Sequence, residues 1–268
     1  MARPPERLMQ LEGYNTVVTG AARGLGAAAA KRFVAEGARV VVADIDGDAA
    51  NACAREIDPT GQRAIGVTCD IAEPAACDAL VARAEAFFGA PIDVFCAHAG
   101  LGFAGVFHES DPAFIKRIVD VNVLGTIYSA QAALRSLVKS RQASLIFTSS
   151  LQSVTARAQR SIYTTTKHAI VGLTKALALE YAPLGVRVNA IAPASTDTPF
   201  LRGQFEFLGS KDVDQAVRDA AASMPLGWLP TPEDFANTAV FLASPAARSI
   251  TGINLLLDSG AAAGIFRR

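Results

Sequence analysis

A phenol and an ammonium stand four residues apart in Tyr163-Thr164-Thr165-Thr166-Lys167. On a helix those two side chains share a face. Solvated helix faces also carry such pairs, but this segment runs on through Ala169, Ile170, Val171 and Leu173, an apolar stretch suited to packing on a sheet. The run Leu145-Ile146-Phe147-Thr148 precedes it and ends in Ser149-Ser150. Ligands of open α/β sheets bind beyond the carboxyl ends of strands, where the Ser150 hydroxyl would lie. Ser150, Tyr163 and Lys167 thus form a candidate catalytic group at one strand end, an arrangement of hydroxyl, phenol and ammonium of the kind used in acid–base chemistry.

A second constellation lies near the start. Thr19-Gly20-Ala21-Ala22-Arg23-Gly24-Leu25-Gly26 follows a short apolar run and opens an alanine-rich helix. Gly20 permits a tight turn, Gly24 lets backbone approach a pyrophosphate, and Gly26 lets the helix pack closely. The helix N-terminus then offers free N–H groups to phosphates. Glycines alone are a weak signal, whereas the strand–turn–helix context makes this a dinucleotide site. Asp44, followed by Ile45, ends the next apolar run, Val40 to Ala43. A carboxylate there accepts bonds from ribose hydroxyls and repels a 2′-phosphate. Asp46 reads as a helix cap.

The elements that must position these groups alternate along the chain. Strand patterns cover Thr16 to Thr19, Arg39 to Ala43, Ala64 to Thr68, Ile92 to Ala97, Ser144 to Thr148, Val186 to Ile191 and Ile253 to Leu257. Helix patterns cover Ala27 to Glu36, Asp48 to Ile57, Pro74 to Phe88, Pro112 to about Ser140, Ser161 to Ala182 and Pro232 to Ala243. Regular alternation implies a doubly wound α/β (Rossmann) fold, with a mostly parallel seven-stranded sheet and helices on both faces. No linker divides the chain, so residues 1–268 are expected to form a single domain. The segment 194–230 is the least regular and reads as a substrate loop or lid.

Bulk properties fit. The 268 residues are 51% hydrophobic and 19% charged, with 25 basic and 25 acidic side chains. That balance leaves no footprint for nucleic acid. Cys53, Cys69, Cys77 and Cys96 show no CxxC or zinc spacing, so no metal is expected. Cys69 and Cys96 read as strand residues and Cys77 as the one exposed thiol. The start MARPPERLMQLEGYN lacks an apolar signal core, and no run is long enough to span a bilayer. No membrane contact and a cytoplasmic location are expected.

Taken in order, the glycine loop, Asp44, Asp70, His98-Ala99-Gly100, Asn122, Ser150, Tyr163/Lys167 and Pro193 resemble the short-chain dehydrogenase/reductase family, from Thr19 to Gly260. The resemblance implies a nicotinamide-dependent oxidoreductase that interconverts a secondary alcohol and a ketone. It implies that Tyr163 is the acid–base residue, that Lys167 favours its phenolate and binds the nicotinamide ribose, and that Ser150 bonds the substrate oxygen. It implies that Asn122 holds a water in a relay towards Lys167. On the cofactor side it implies that Asp70 and Ile71 meet the adenine and that Pro193, Thr196 and Thr198 reach the carboxamide end. Ile45 and the stretch His98-Ala99-Gly100 also line that site.

Two positions depart from the family pattern. His98 replaces an asparagine that braces the sheet, and Ala194 replaces a common glycine after Pro193. Asp44 favours NAD, while Arg23 also occurs in NADP-using relatives; NAD is the expectation. Substrate contacts are expected from Ser150, Gln152, Tyr163 and Phe200. Leu101, Phe103, Leu151, Phe205, Phe207, Met224 and Trp228 would form an apolar wall, with Ser195 as a further polar handle. A cyclic or aryl-bearing small molecule fits such a pocket. The alternative is an NADP-dependent carbonyl or 3-oxoacyl reductase. A homotetramer is expected, built on the two long helices.

Overall fold

The first strand, Asn15–Thr19 (β1), is buried along its whole length, so it needs partners on both faces. Val17 joins one core cluster and Val18 the other, as alternation across a strand requires. The computed structural model describes residues 10–102 and 104–264, with the backbone alone at Phe200. The sheet continues with Arg39–Asp44 (β2), Ala64–Thr68 (β3), Val94–Ala97 (β4), Ser144–Thr148 (β5), Arg187–Pro193 (β6) and Asn254–Leu257 (β7). The strand order is β3-β2-β1-β4-β5-β6-β7, and every neighbouring pair is parallel. This is the doubly wound order with one strand added.

The helices are Gly24–Ala35 (α1), Gly47–Ile57 (α2), Pro74–Phe88 (α3), Pro112–Val119 (α4), Thr126–Leu137 (α5), Ser161–Tyr181 (α6), Pro199–Phe207 (α7), Val213–Ala222 (α8) and Pro232–Ala243 (α9). One core cluster takes residues of α3, α5 and α6, and the other takes residues of α1, α2 and α9. Helices therefore cover both faces. The starts are set by short polar caps: Asp46, Asp111, Thr198 and Asp212 each accept a backbone N–H of the first turn. Thr231 and Asp234 form a reciprocal capping box on α9.

Several sequence expectations are corrected. The long helix from Pro112 runs unbroken only to Leu137 and is not regular: Asp120–Gly125 is a π-helical turn between α4 and α5. The widened turn lets the Asn122 amide pair with the Leu101 peptide, Nδ2 donating to Leu101 O at 2.8 Å and Oδ1 accepting from Leu101 N at 2.7 Å. The fourth strand starts at Val94 rather than Ile92, because the Ile92 N–H donates to Ser136 Oγ instead of a ladder partner. The sixth runs on to Pro193, paired with Leu257. The segment 194–230 contains two helices, α7 and α8. Cys77 is buried, its Sγ directed at Ile71 O, because that side of α3 faces the core. Cys69 lies just beyond β3 and is also buried.

The sheet divides between β1 and β4, whose following turns press together. Gly20 has φ +66, and a Cβ there would meet Ala99 Cα at 2.7 Å. Gly24 has φ +60 but open space around the missing Cβ. Gly20→Ala should therefore lose about 2–4 kcal/mol of stability, from left-handed strain plus a clash with backbone. Gly24→Ala should lose only the strain, about 1–2 kcal/mol. Urea unfolding of both variants checks this, and equal losses would remove the close-approach account.

Candidate active site

The carboxyl ends of β1, β4, β5 and β6 open onto one cavity of about 580 Å³. That volume suits a small-molecule site. Thr19 fixes its floor: Thr19 Oγ1 accepts from His98 N at 3.1 Å and Ala99 N at 3.2 Å. At one end lie Gly20, Arg23, Gly24, Leu25, Asp44 and Ile45. The N-terminus of α1 has no side-chain cap, and Gly24 leaves open space beside it. That cradle fits a phosphate group of a dinucleotide. Gly26 does not line the cavity; a Cβ there would meet Gly20 O at 2.4 Å and His98 Cδ2 at 2.9 Å, so it serves close packing.

Asp44 is held by the loop it serves. Its Oδ2 accepts from Ala22 N at 3.0 Å and its Oδ1 from Asp46 N at 3.1 Å. Arg23 turns away to Asp46 at 3.3 Å, in a pair too exposed to contribute much stability. Asp70 and Ile71, after β3, also line the cavity. Asp70 accepts from Ala72 N at 3.0 Å and lies 3.8 Å from Arg117.

At the middle of the cavity α6 presents Tyr163 and Lys167. Burial removes the Lys167 ammonium from water, so it needs an acceptor. It donates to Thr148 O, at the end of β5, at 2.9 Å. Its Nζ lies 5.7 Å from the Tyr163 ring centre. Burial brings the Lys167 pKa down to about 8. Burial pushes the Tyr163 phenol above its ordinary value, while a hydrogen bond with Ser150 and the positive charge of Arg160 pull it down. Ser150 Oγ accepts from Gln152 N at 3.2 Å in the short turn that follows β5. Asn122 does not line the cavity. It sits behind Gly100, where a Cβ would stand 3.3 Å from Asn122 Oδ1 and 3.7 Å from Lys167 Nζ.

His98 has bonds that its sequence position did not reveal. Its Nδ1 and Thr148 Oγ1 are 3.0 Å apart, and its ring packs on Phe235 with centres 5.3 Å apart. Burial, with a smaller contribution from Lys167, pushes its pKa down to about 4. Thr148 thus serves two partners, its hydroxyl meeting His98 and its carbonyl Lys167. No motif marked Thr148, because one bond depends on β4 lying beside β5 and the other on α6 packing against the end of β5.

At the far end the expected residues separate. Pro193, Ser195, Thr196 and Thr198 line the cavity, as do Leu101, Leu151, Gln152 and Met224. Phe205, Phe207 and Trp228 do not; Phe207 and Trp228 are exposed on outward faces. Phe103 and the side chain of Phe200 lie outside the described residues. The lining instead includes Arg157, Arg160, Leu201 and Gln204, which sequence reading missed. An amphipathic reading of α7 at 100° per residue, which puts Leu201 and Gln204 on neighbouring faces, would have found the last two.

A family model described as enoyl-(acyl carrier protein) reductase matches residues 20–262. A cis-4-hydroxycyclohexanecarboxylate dehydrogenase of Sinomonas cyclohexanicum is 36% identical over 91% of this chain and 94% of its own. A 2,5-dichloro-2,5-cyclohexadiene-1,4-diol dehydrogenase of Sphingobium indicum is 35% identical over 96% of this chain and 99% of its own. The crystal structure of a 3-ketoacyl-(acyl-carrier-protein) reductase from Brucella melitensis, complexed with NADH, superposes with a TM-score of 0.84. It is 34% identical and the match covers 94% of this chain and 99% of that one.

The His98 geometry has a pH consequence. Its pKa is about 4 in the folded chain against 6.5 for a free side chain. Between those values the unfolded chain binds the proton and the folded chain does not, so stability rises with pH. The contribution is intact above about pH 6.5 and is lost as the pH falls towards about 4, with a slope of at most about 1.4 kcal/mol per pH unit. His98→Asn, which keeps a polar partner for Thr148, should flatten that part of the urea-derived stability profile. Parallel profiles for the two proteins would show that His98 is not held neutral.

Proposed function

The chain belongs to the short-chain dehydrogenase/reductase family and is an oxidoreductase acting on CH–OH groups with a nicotinamide nucleotide, and from that premise we propose that it interconverts a cyclic secondary alcohol and its ketone using NAD. The observation that carries the reaction is the convergence of Ser150, Tyr163 and Lys167 on one cavity wall. In oxidation Tyr163 takes the hydroxyl proton and Ser150 holds the same oxygen. The bound nicotinamide supplies the hydride acceptor. Lys167, anchored on Thr148 O, keeps a positive charge behind the phenol and lowers the cost of its ionised form. The gap at Gly100, between Asn122 Oδ1 and Lys167 Nζ, suits a relay water. Ring-bearing substrates in the names of two relatives support the cyclic class. Apolar Leu101, Leu151, Leu201 and Met224 offer such a ring its wall.

Asp44 supports NAD. Both its oxygens are already oriented by backbone donors at the position where the adenosine ribose belongs. Asp70 and Ile71 take the adenine in this reading, and Pro193, Thr196 and Thr198 the carboxamide end. Segment 194–230 acts as a lid, since Leu201 and Gln204 of α7 and Met224 just beyond α8 line the cavity. The described residues contain no helix long and apolar enough to cross a membrane. The outer side of α6 exposes Ala169, Gly172 and Ala176, with Leu179 80% exposed on the same stripe. Small residues at this spacing let a second helix approach closely, which supports a subunit contact within a homotetramer.

Oxidation of a panel of cyclic alcohols, followed by nicotinamide absorbance, tests the reaction. Tyr163→Phe should cut kcat by about 10²–10⁴-fold, the usual contribution of a positioned acid–base group, with cofactor affinity nearly kept. Retention of most of the rate would remove Tyr163 from its role. In the same assay NAD should exceed NADP by roughly 30-fold or more in kcat/KM, the equivalent of about 2 kcal/mol at the ribose, and Asp44→Ser should erode that ratio. Equal use of both cofactors by the unmodified protein would overturn the NAD reading. Light scattering should give a tetramer mass that Ala176→Arg reduces; a monomer mass at micromolar concentration would refute the assembly.

A further inference from the structure

The cavity wall opposite the adenosine end is formed by the turn that leads into α6, and this turn carries two arginines. Arg160 N donates to Arg157 O at 3.2 Å, closing a four-residue turn whose two ends are the arginines. Such ends have Cα atoms within about 7 Å. Gln159 between them has φ +61, a backbone conformation that side-chain-bearing residues seldom adopt. Its carbonyl accepts from Gly105 N at 2.9 Å, which pins the turn to the segment after β4. Both arginines line the cavity. Arg160 is buried, and the positive charge of Arg157 is near enough to disfavour its charged form. Arg157 is exposed, and its guanidinium makes no hydrogen bond or ion pair with the described residues.

Among the described residues no carboxylate lines the cavity at that end. Asp44 and Asp70, the acidic residues lining the cavity, follow β2 and β3. These strands are three and four positions from β5 in the sheet, roughly 14 and 19 Å away at the usual strand spacing. Asp197 is bound to Arg202 at 2.7 and 2.9 Å and does not line the cavity. Gln152 adds a donor: its Oε1 accepts from Thr164 Oγ1 at 3.1 Å, which leaves its Nε2 to donate. Beyond the reacting group, this end thus gathers cations and N–H donors around an apolar middle.

We propose that the substrate is anionic: a cyclic secondary alcohol whose ring carries a carboxylate, held by Arg157 and the Gln152 amide, with Arg160 adding positive charge beneath. This rests on the assignment of Ser150 and Tyr163 as the groups that hold the alcohol oxygen. Arg160 precedes Tyr163 by about one helical turn, and its N–H bond to Arg157 O keeps Arg157 on the same wall. A guanidinium offers two parallel N–H groups to a carboxylate and so fixes which carbon faces Tyr163.

A binding measurement tests the site without turnover. Calorimetry on the NAD-saturated protein compares cyclohexanecarboxylate with cyclohexanecarboxamide, ligands of the same shape and different charge. The carboxylate should bind about tenfold or more tightly, as expected for one charge-assisted pair. R157A should bring the ratio close to one, and R157K should restore part of it as a point charge. No preference in the unmodified protein, or an unchanged ratio in R157A, would overturn the proposal. Activity on a hydroxycyclohexanecarboxylate and its carboxamide separates the two readings. Carboxylate-selective binding without oxidation of either alcohol would leave the anion site standing and remove the assigned reaction. Equal oxidation of both with no binding preference would remove the anion site alone.

Discussion

The hydrogen bond from Lys167 Nζ to Thr148 O joins the two halves of the reacting group. A buried ammonium without an acceptor would be severely destabilising, so this bond constrains both the start of α6 and the end of β5. Once Lys167 is fixed, Tyr163 one turn earlier is fixed too, and Ser150 follows two residues after the accepting carbonyl. The Thr148 hydroxyl extends the constraint to β4 through His98, and Thr19 extends it to β1. Three adjacent strand ends, those of β1, β4 and β5, are therefore held in register by polar contacts around one cation. The departure at His98 is compatible with this design because a neutral imidazole both donates and accepts.

The cavity is polarised along its length. The lining carboxylates Asp44 and Asp70 stand at the β2 and β3 end, together with Arg23 and Arg117, whereas Arg157 and Arg160 at the α6 end have no lining carboxylate beside them among the described residues; Lys167 lies between. Arg23 of the glycine loop lines the same end and pairs with Asp46 at 3.3 Å. A dinucleotide and a small substrate therefore meet different fields. In the reading proposed above, Asp44 at the ribose end accepts hydroxyl donors and disfavours a further phosphate, and the arginines at the opposite end favour negative charge. Neither end depends on the charge balance of the whole chain, which is even.

Local pattern made the fold readable. Valine-rich runs ending in glycine or aspartate, proline in first helical turns and a strict strand–helix alternation leave few topologies for a chain of this length. The observed strand order follows from right-handed crossovers, which no single residue specifies but the alternation implies. The same locality explains the errors. The π-helical turn at Asp120–Gly125 has the composition of a helix, and the Leu101 peptide that Asn122 pairs with lies 21 residues away in the chain. Cys77 is buried although the sequence suggests exposure, because α3 has apolar residues on more than one side and periodicity does not say which side faces the core.

By itself the sequence determined the glycine loop, Asp44, Ser150 and the Tyr163/Lys167 pair, because each rests on spacing within one short segment. Backbone geometry converts such spacing directly into position. Only the tertiary structure decided which groups share a cavity. It excluded Phe207 and Trp228, moved Gly26 and Asn122 behind the lining, and brought Arg157 and Arg160 to the wall beside Tyr163. These outcomes depend on helix rotation and on turns such as the left-handed one at Gln159. They are set by contacts between segments far apart in the chain, and hydrophobicity along one segment carries no record of them.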